Sequence, residues 1–226
     1  MTLFQTKYVV LTGNYGSGKT ELALGVALAS RRDGSTTLVD LDIVNPYFRS
    51  GEKADLLREA DIRVLMPTFA MTTVDVPALP PEIQSVFETP CDRVIFDVGG
   101  DDTGAAALGR YAPSFARLRG ETTVCLVVNC MRPLTPRAED IAELGRRIEQ
   151  RGRLSIDVII NNTNLADRTE PAMLRAGHAE AQRAAAMLGV KRIVTAGTAP
   201  VLAQCPDLPD HLTIQRQMVP EWIEDV

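Results

Sequence analysis

The sequence predicts a three-layer α/β domain, with helices on both faces of a mostly parallel sheet of about seven strands. Two observations carry this. Seven short runs rich in Val, Ile and Leu recur along the 226 residues, and most are nearly continuous in apolar side chains, as strands buried on both faces are. Helix-like runs lie between them, so the chain alternates β and α almost from end to end. A third observation, a glycine-rich stretch between the first strand and the first helix, marks where the working end of such a domain lies.

The elements follow in order. Residues 7–12, "KYVVLT", form the first strand. Residues 19–31 put Leu22, Ala23, Val26, Ala27 and Ser30 on one helical face. Strands follow at 36–42 ("TTLVDLD") and 62–66 ("IRVLM"). Residues 66–84 carry Pro67, Pro77, Pro80 and Pro81, too many for a minimal connection, and long irregular connections are often functional. Residues 93–99 ("RVIFDVG") are a strand, and 104–118 read as a helix with Pro113 inside it. The strand at 122–129 leads to a helix at 136–151, which opens at a proline and carries Ile141, Leu144 and Ile148. A strand at 156–162, an alanine-rich helix at 171–188 and a strand at 191–197 complete the pattern.

Composition narrows the function classes. Hydrophobic residues make up 45% and charged residues 23%, ordinary for one globular domain spanning 1–226. The net charge of −5 argues against a protein-wide attraction to nucleic acid or to anionic lipid. No run approaches the roughly 18 apolar residues of a membrane span. The opening "MTLFQTKYVVLTG" lacks a leader pattern, so a cytoplasmic location is expected. Cys91, Cys125, Cys130 and Cys205 form no CxxC pair and read as reduced thiols.

The stretch "GNYGSGKT" matches G-x-x-x-x-G-K-[ST] over Gly13, Asn14, Tyr15, Gly16, Ser17, Gly18, Lys19 and Thr20. Its glycines let main-chain N–H groups converge on phosphate oxygens, and the following helix adds its positive end. Lys19 can reach the β and γ phosphates, and the Thr20 hydroxyl can ligate Mg2+. In "RVIFDVGGDDTG", Asp97 ends a strand where a metal-holding carboxylate belongs, and Gly100 completes D-x-x-G, whose N–H can bond a γ phosphate. Asp101 and Asp102 are weaker candidates. In "LVDLDIVNPYFRSGE", Asp40 and Asp42 alternate out of an apolar strand. Asp42, nearer the strand end, is the choice for positioning Mg2+ or an attacking water. Asn45, Tyr47 and Arg49 follow in a loop that can sense nucleotide state.

Taken in order, the cradle, "VDLD", D-x-x-G and "NNTN" resemble the MinD/ParA/CobQ-type (SIMIBI) group of P-loop NTPases, and "VDLDIVNPYFRS" looks closest to bacterial ATP-binding proteins of that group. The resemblance implies that the cradle strand lies beside the "VIFDVGG" strand. It also favours a homodimer. Three departures matter. MinD and ParA proteins carry a second lysine where this chain has Asn14, which speaks against their nucleotide-sandwich dimer. The nitrogenase iron protein has a cluster cysteine past its D-x-x-G, where this chain reads "DDTGAAALG". MinD proteins end in a basic amphipathic helix, whereas "MVPEWIEDV" is acidic, so no membrane docking by that route is expected.

The segment "IINNTNLAD" lies where this group contacts the base. A guanine reader of the N-K-x-D type needs a carboxylate. Aligned on it, this chain presents Asn161, Asn162, Thr163 and Asn164, which favours ATP over GTP, with Asn162 as the base contact. The leading expectation is a Mg2+-dependent ATPase acting as a nucleotide-driven switch on a protein partner. An ATP-dependent ligase or kinase for a small molecule, with 67–81 lining the acceptor pocket, is the second reading. A metallochaperone-like GTPase is the third, with only His178 and His211 as histidine ligands.

Overall fold

A computed structural model of the chain describes residues 4–42, 51–66, 81–100 and 102–215. The proline-rich residues 67–80, the residues Asn45, Tyr47 and Arg49, Asp101 and the "MVPEWIEDV" end lie outside that set.

Eight strands form one sheet: β1 (Tyr8–Gly13), β2 (Thr36–Leu41), β3 (Arg63–Leu65), β4 (Arg93–Val98), β5 (Thr122–Val128), β6 (Val158–Asn161), β7 (Arg192–Gly197) and β8 (His211–Thr213). Their order is β3-β2-β4-β1-β5-β6-β7-β8, and every neighbouring pair is parallel. β1 lies between β4 and β5, the first of these being the "VIFDVGG" strand. After β1 the chain lays down β2 and β3 on one side, returns with β4 between β2 and β1, and then crosses to the other side with β5 to β8. The crevice at such a reversal, beyond the carboxyl ends of the strands, is where open α/β sheets bind ligands.

The helices are α1 (Lys19–Ser30), α2 (Gly51–Glu59), α3 (Pro81–Ser85), α4 (Asp102–Arg110), α5 (Ala112–Arg117), α6 (Ala138–Gly152), α7 (Pro171–Leu188) and α8 (Ala199–Leu202). All six residues of β1 are buried, because both faces of the sheet are covered. On one face Val9, Leu11, Leu38, Ile95 and Val127 meet Leu22, Ala23 and Val26 of α1 and Leu57 of α2. On the other, Val10, Phe96 and Leu126 meet Leu108, Phe115, Ile141, Leu144 and Ala181. Aromatic rings thicken that second core: Phe87 stacks on Phe96 with centroids 5.8 Å apart and meets Phe115 edge-on at 5.0 Å. Truncating Phe115, which has no exposed surface, costs about 3–5 kcal/mol by the usual cavity penalty.

Three differences from the sequence reading have physical reasons. The helix expected over 104–118 is two helices, broken at Tyr111, whose backbone leaves helical geometry (φ −95°, ψ 3°). Pro113 then falls in the first turn of α5, where its missing N–H costs nothing, rather than in a helix interior, where it would break the ladder. The sheet has an eighth strand, β8, of only three residues, too short for alternation to be read. α2, α3 and α8 are likewise too short, or too polar, to show a helical period. Among the described residues no helix is long and apolar enough to cross a membrane.

Candidate functional site

The glycine-rich loop runs from the end of β1 to the start of α1. At Gly13 a side chain is sterically excluded, because a Cβ would lie 2.2 Å from the Val127 carbonyl oxygen of β5. Gly18 caps α1 in the left-handed region (φ 87°), and a Cβ there would meet Asn162 Nδ2 at 2.4 Å. The tight turn and the close approach of β5 and β6 therefore both demand glycine. Lys19, only 7% exposed, folds across the loop, and its Nζ donates to the Asn14 carbonyl at 2.9 Å. The Ser17 N–H donates to the same oxygen at 3.3 Å. The Asn14 side chain accepts from the Tyr15 N–H at 2.8 Å, and the Tyr15 ring stands 68% exposed at the rim.

The acids converge on this loop from neighbouring strands. Asp97 sits opposite Leu11 of β1 in register and beside Asp40 of β2. It is 2% exposed and hydrogen-bonds to the Thr20 side chain, while its Oδ1 has no hydrogen-bond partner. Burial pushes its carboxyl up to about 6, against the pull of the Lys19 ammonium and the Thr20 bond, and the Asp42 charge pushes the same way as burial. Asp42 lines the cleft. Asp40, buried, braces it: Asp40 Oδ1 accepts the Asp42 N–H at 2.8 Å. Lys19, Thr20, Asp42 and Asp97 are thus brought together.

Gly100 rests on the loop itself, since a Cβ there would lie 2.5 Å from the Tyr15 nitrogen and 2.8 Å from the Asn14 carbonyl carbon. Asp102 opens α4.

Asn162 also reaches the loop, from the end of β6. Its Nδ2 donates to the Ser17 carbonyl at 2.8 Å, and its Oδ1 has no hydrogen-bond partner. Ser17 Oγ is buried and equally without one. The orientation of the Asn162 amide follows from chemistry, because a carbonyl oxygen can face only the donor end. Asn164 spends its side chain within its own loop, donating to the Asn162 carbonyl at 2.7 Å and accepting from the Ala166 N–H at 3.2 Å.

A cleft of about 670 Å3 opens beside these groups. Its lining includes Tyr15, Gly16, Gly18, Lys19 and Thr20 of the loop together with Asn162, Asn164, Thr169, Gly197 and Thr198. The wall includes Arg132, Pro133 and Leu134 from the loop after β5, which no sequence motif marked. The pairing of β5 with β1 puts that loop here. A signal was available in principle: the residues that follow any strand adjoining the cradle strand must border the cradle.

Two histidines lie elsewhere. His178 is buried in α7 with Nδ1 3.0 Å from the Thr195 hydroxyl, and desolvation holds its imidazole below the ordinary value. His211 Nε2 lies 3.1 Å from the Cys205 carbonyl oxygen. Among the described residues no three His, Cys, Asp or Glu side chains group as metal ligands would. A phosphate-bound Mg2+ needs fewer protein ligands, one hydroxyl and one carboxylate, with phosphate and water oxygens completing its shell. Thr20 and the orphaned oxygen of Asp97 fit that requirement.

No family model matches the chain, and no curated protein matches it. Solved structures do. FlhF complexed with GTP and Mg2+ is 14% identical over 83% of this chain and 64% of its own, with a TM-score of 0.50. The signal recognition particle 54 kDa protein from Aeropyrum pernix, in complex with GDP, is 21% identical over 84% of this chain and 42% of its own, at 0.52. The cell division protein FtsY from Thermotoga maritima is 15% identical over 86% of this chain and 65% of its own, at 0.53. The chain therefore spans less than two thirds of each of these proteins. At such identities the likeness concerns architecture alone, and that architecture, a parallel sheet with a glycine-rich loop at the carboxyl end of a central strand, is the fold of the P-loop NTPases.

Proposed function

We propose that the chain is a Mg2+-dependent ATPase, one nucleotide-binding domain over residues 1–226, working as a nucleotide-driven switch on a protein partner. Within the P-loop NTPases, the cradle, "VDLD" and D-x-x-G motifs support a relation to the MinD/ParA-type group. The observation that carries the reading is the convergence of Lys19, Thr20, Asp42 and Asp97 on one glycine-rich loop, with a buried Asp97 oxygen left without a partner.

The residues divide the work. Main-chain N–H groups from Gly13 to Thr20 and the N-terminus of α1 hold the phosphates. Lys19 neutralises charge on the transferring phosphoryl group, an electrostatic contribution that grows in a site sheltered from water. Thr20 and Asp97 would hold Mg2+, with Asp42 positioning it or the attacking water. Mg2+, when bound, draws charge off the phosphate oxygens. The Gly100 N–H would sense the γ phosphate, since Gly100 already abuts Tyr15 of the loop. The site contains no histidine general base among the described residues, which suits slow turnover stimulated by a partner.

Adenine is favoured by hydrogen-bond chemistry. One Asn162 N–H is bonded to the Ser17 carbonyl, which leaves the second N–H and the unpartnered Oδ1 as a donor–acceptor pair for a base. Adenine offers an amine donor on the edge where guanine offers only acceptors. Counted from Asn161 the fourth position is Asn164, and counted from Asn162 it is Leu165, so neither register of N-K-x-D supplies a carboxylate. The guanine nucleotides bound in FlhF and in the signal recognition particle protein make GTP the necessary comparison. A protein partner that reads the nucleotide state would meet Tyr15 and Leu134, 68% and 63% exposed where they line the cleft.

The test is calorimetry and phosphate release with MgATP and MgGTP side by side, with mass determination in each state to tell a second copy of the chain from a different partner. Tighter binding of ATP with weak basal hydrolysis is expected. Heat from neither triphosphate would remove the reading.

A further inference from the structure

Arg132 stands on the loop between β5 and α6, outside the motif that marks the phosphate cradle. Its Nε–H donates to the Gly16 carbonyl at 3.2 Å, and its guanidinium carbon lies 3.9 Å from where a Gly16 Cβ would be. The planar group therefore rests on the middle of the cradle. The loop that delivers it is braced. Buried Asn129 accepts at Oδ1 from the Met131 N–H at 3.0 Å and from the Asn164 N–H at 3.3 Å. The Asn129 carbonyl accepts from the Arg132 N–H at 3.0 Å and from the Thr135 hydroxyl at 3.1 Å.

Charge supplies the second half of the argument. A guanidinium has five N–H donors, and the Gly16 bond uses one of them. Among the described residues Arg132 makes no ion pair. It shares the cleft wall with Lys19 and Thr20. The cradle itself carries one lysine, and Asn14 brings no second cation to a triphosphate bearing several negative charges.

From this we infer that Arg132 is a second phosphate-binding cation, held in the same chain and parked on Gly16, whose free N–H groups engage the phosphates of a bound nucleoside triphosphate. The inference rests on the nucleotide reading above. A planar fork suits phosphate oxygens better than a point charge, and a charge-assisted bond is about twice as strong as a neutral one.

The experiment is calorimetric titration of the full chain and three variants, R132A, R132K and R132Q, with MgATP, each first checked for a wild-type melting temperature without nucleotide. Glutamine can still donate to the Gly16 carbonyl but carries no charge, so it separates charge from positioning. Affinity is expected to fall about 10- to 100-fold in R132A and R132Q, the range for losing a charged hydrogen bond, and only a few-fold in R132K. Wild-type affinity in R132A or in R132Q overturns the inference, the second result showing that the side chain merely holds Gly16. If R132A does not fold, the comparison of R132K with R132Q decides alone. Absence of binding by the unmutated chain is a different failure, that of the nucleotide reading itself.

Discussion

Replacing Asp97 by asparagine should stabilise the nucleotide-free protein. Asp97 is buried, and its carboxyl ionises near 6 instead of at its ordinary 3.8 because the charged form is cut off from water. The sign follows from linkage. Between those two values the folded chain holds a proton that the unfolded chain has released, so stability falls as pH rises through that window. The stabilisation is fully present below 3.8 and lost above about 6. The difference is roughly two pH units at about 1.36 kcal/mol each, which makes the penalty at neutral pH about 3 kcal/mol. Asparagine is neutral at every pH and avoids it. Urea unfolding of the wild type and D97N, without nucleotide or metal, should show D97N more stable by up to about 3 kcal/mol at pH 7.5. The gap should shrink through pH 6 and close near pH 4. A variant less stable than wild type at pH 7.5, or a gap independent of pH, would refute the reasoning.

Other outcomes follow from the same contacts. If Asp97 holds Mg2+, MgATP binding at pH 5.5 should release about one proton and at pH 8 almost none, read by calorimetry in buffers of different ionisation heat. Lys19→Ala should abolish measurable ATP binding, whereas D97N should keep much of it and lose Mg2+-dependent phosphate release. Gly100→Ala places a methyl 2.5 Å from the Tyr15 nitrogen, so the loop must shift. A loss of about 1–3 kcal/mol in stability, from overpacking, and weaker ATP binding are expected by denaturation and titration. Gly177→Ala drives a methyl to 2.1 Å from Thr163 Oγ1 and 2.6 Å from Asn161 Oδ1, and should lower the melting temperature clearly.

The sequence was most informative where local chemistry leaves little choice. The cradle could be read because close strand approach admits only glycine at Gly13 and Gly18, and because the lysine and threonine must follow at fixed spacing. The central strands could be read because β1, β4 and β5 are apolar on both faces. Asp42 and Asp97 were visible as carboxylates interrupting such runs, although their meeting with Lys19 depends on β4 lying beside β1 and β2 beside β4. Arg132 could not be found this way. Its bond to Gly16 spans 116 residues and depends on which strand pairs with β1, which no local pattern encodes. Asn162 was legible as a candidate base contact, but its donor bond to Ser17 was not, since that is a product of tertiary approach. β8 and α8 failed for a simpler reason, being shorter than the periods by which such elements are recognised.

The bond from Asn162 to the Ser17 carbonyl joins residues 145 positions apart. During synthesis on the ribosome, the glycine-rich turn emerges well before the sixth strand that clamps it. Nascent chains halted before that strand would hold a complete motif and an unlatched one. If the latched loop is what holds a nucleotide, capture would report that the chain has been made and folded as far as Asn162.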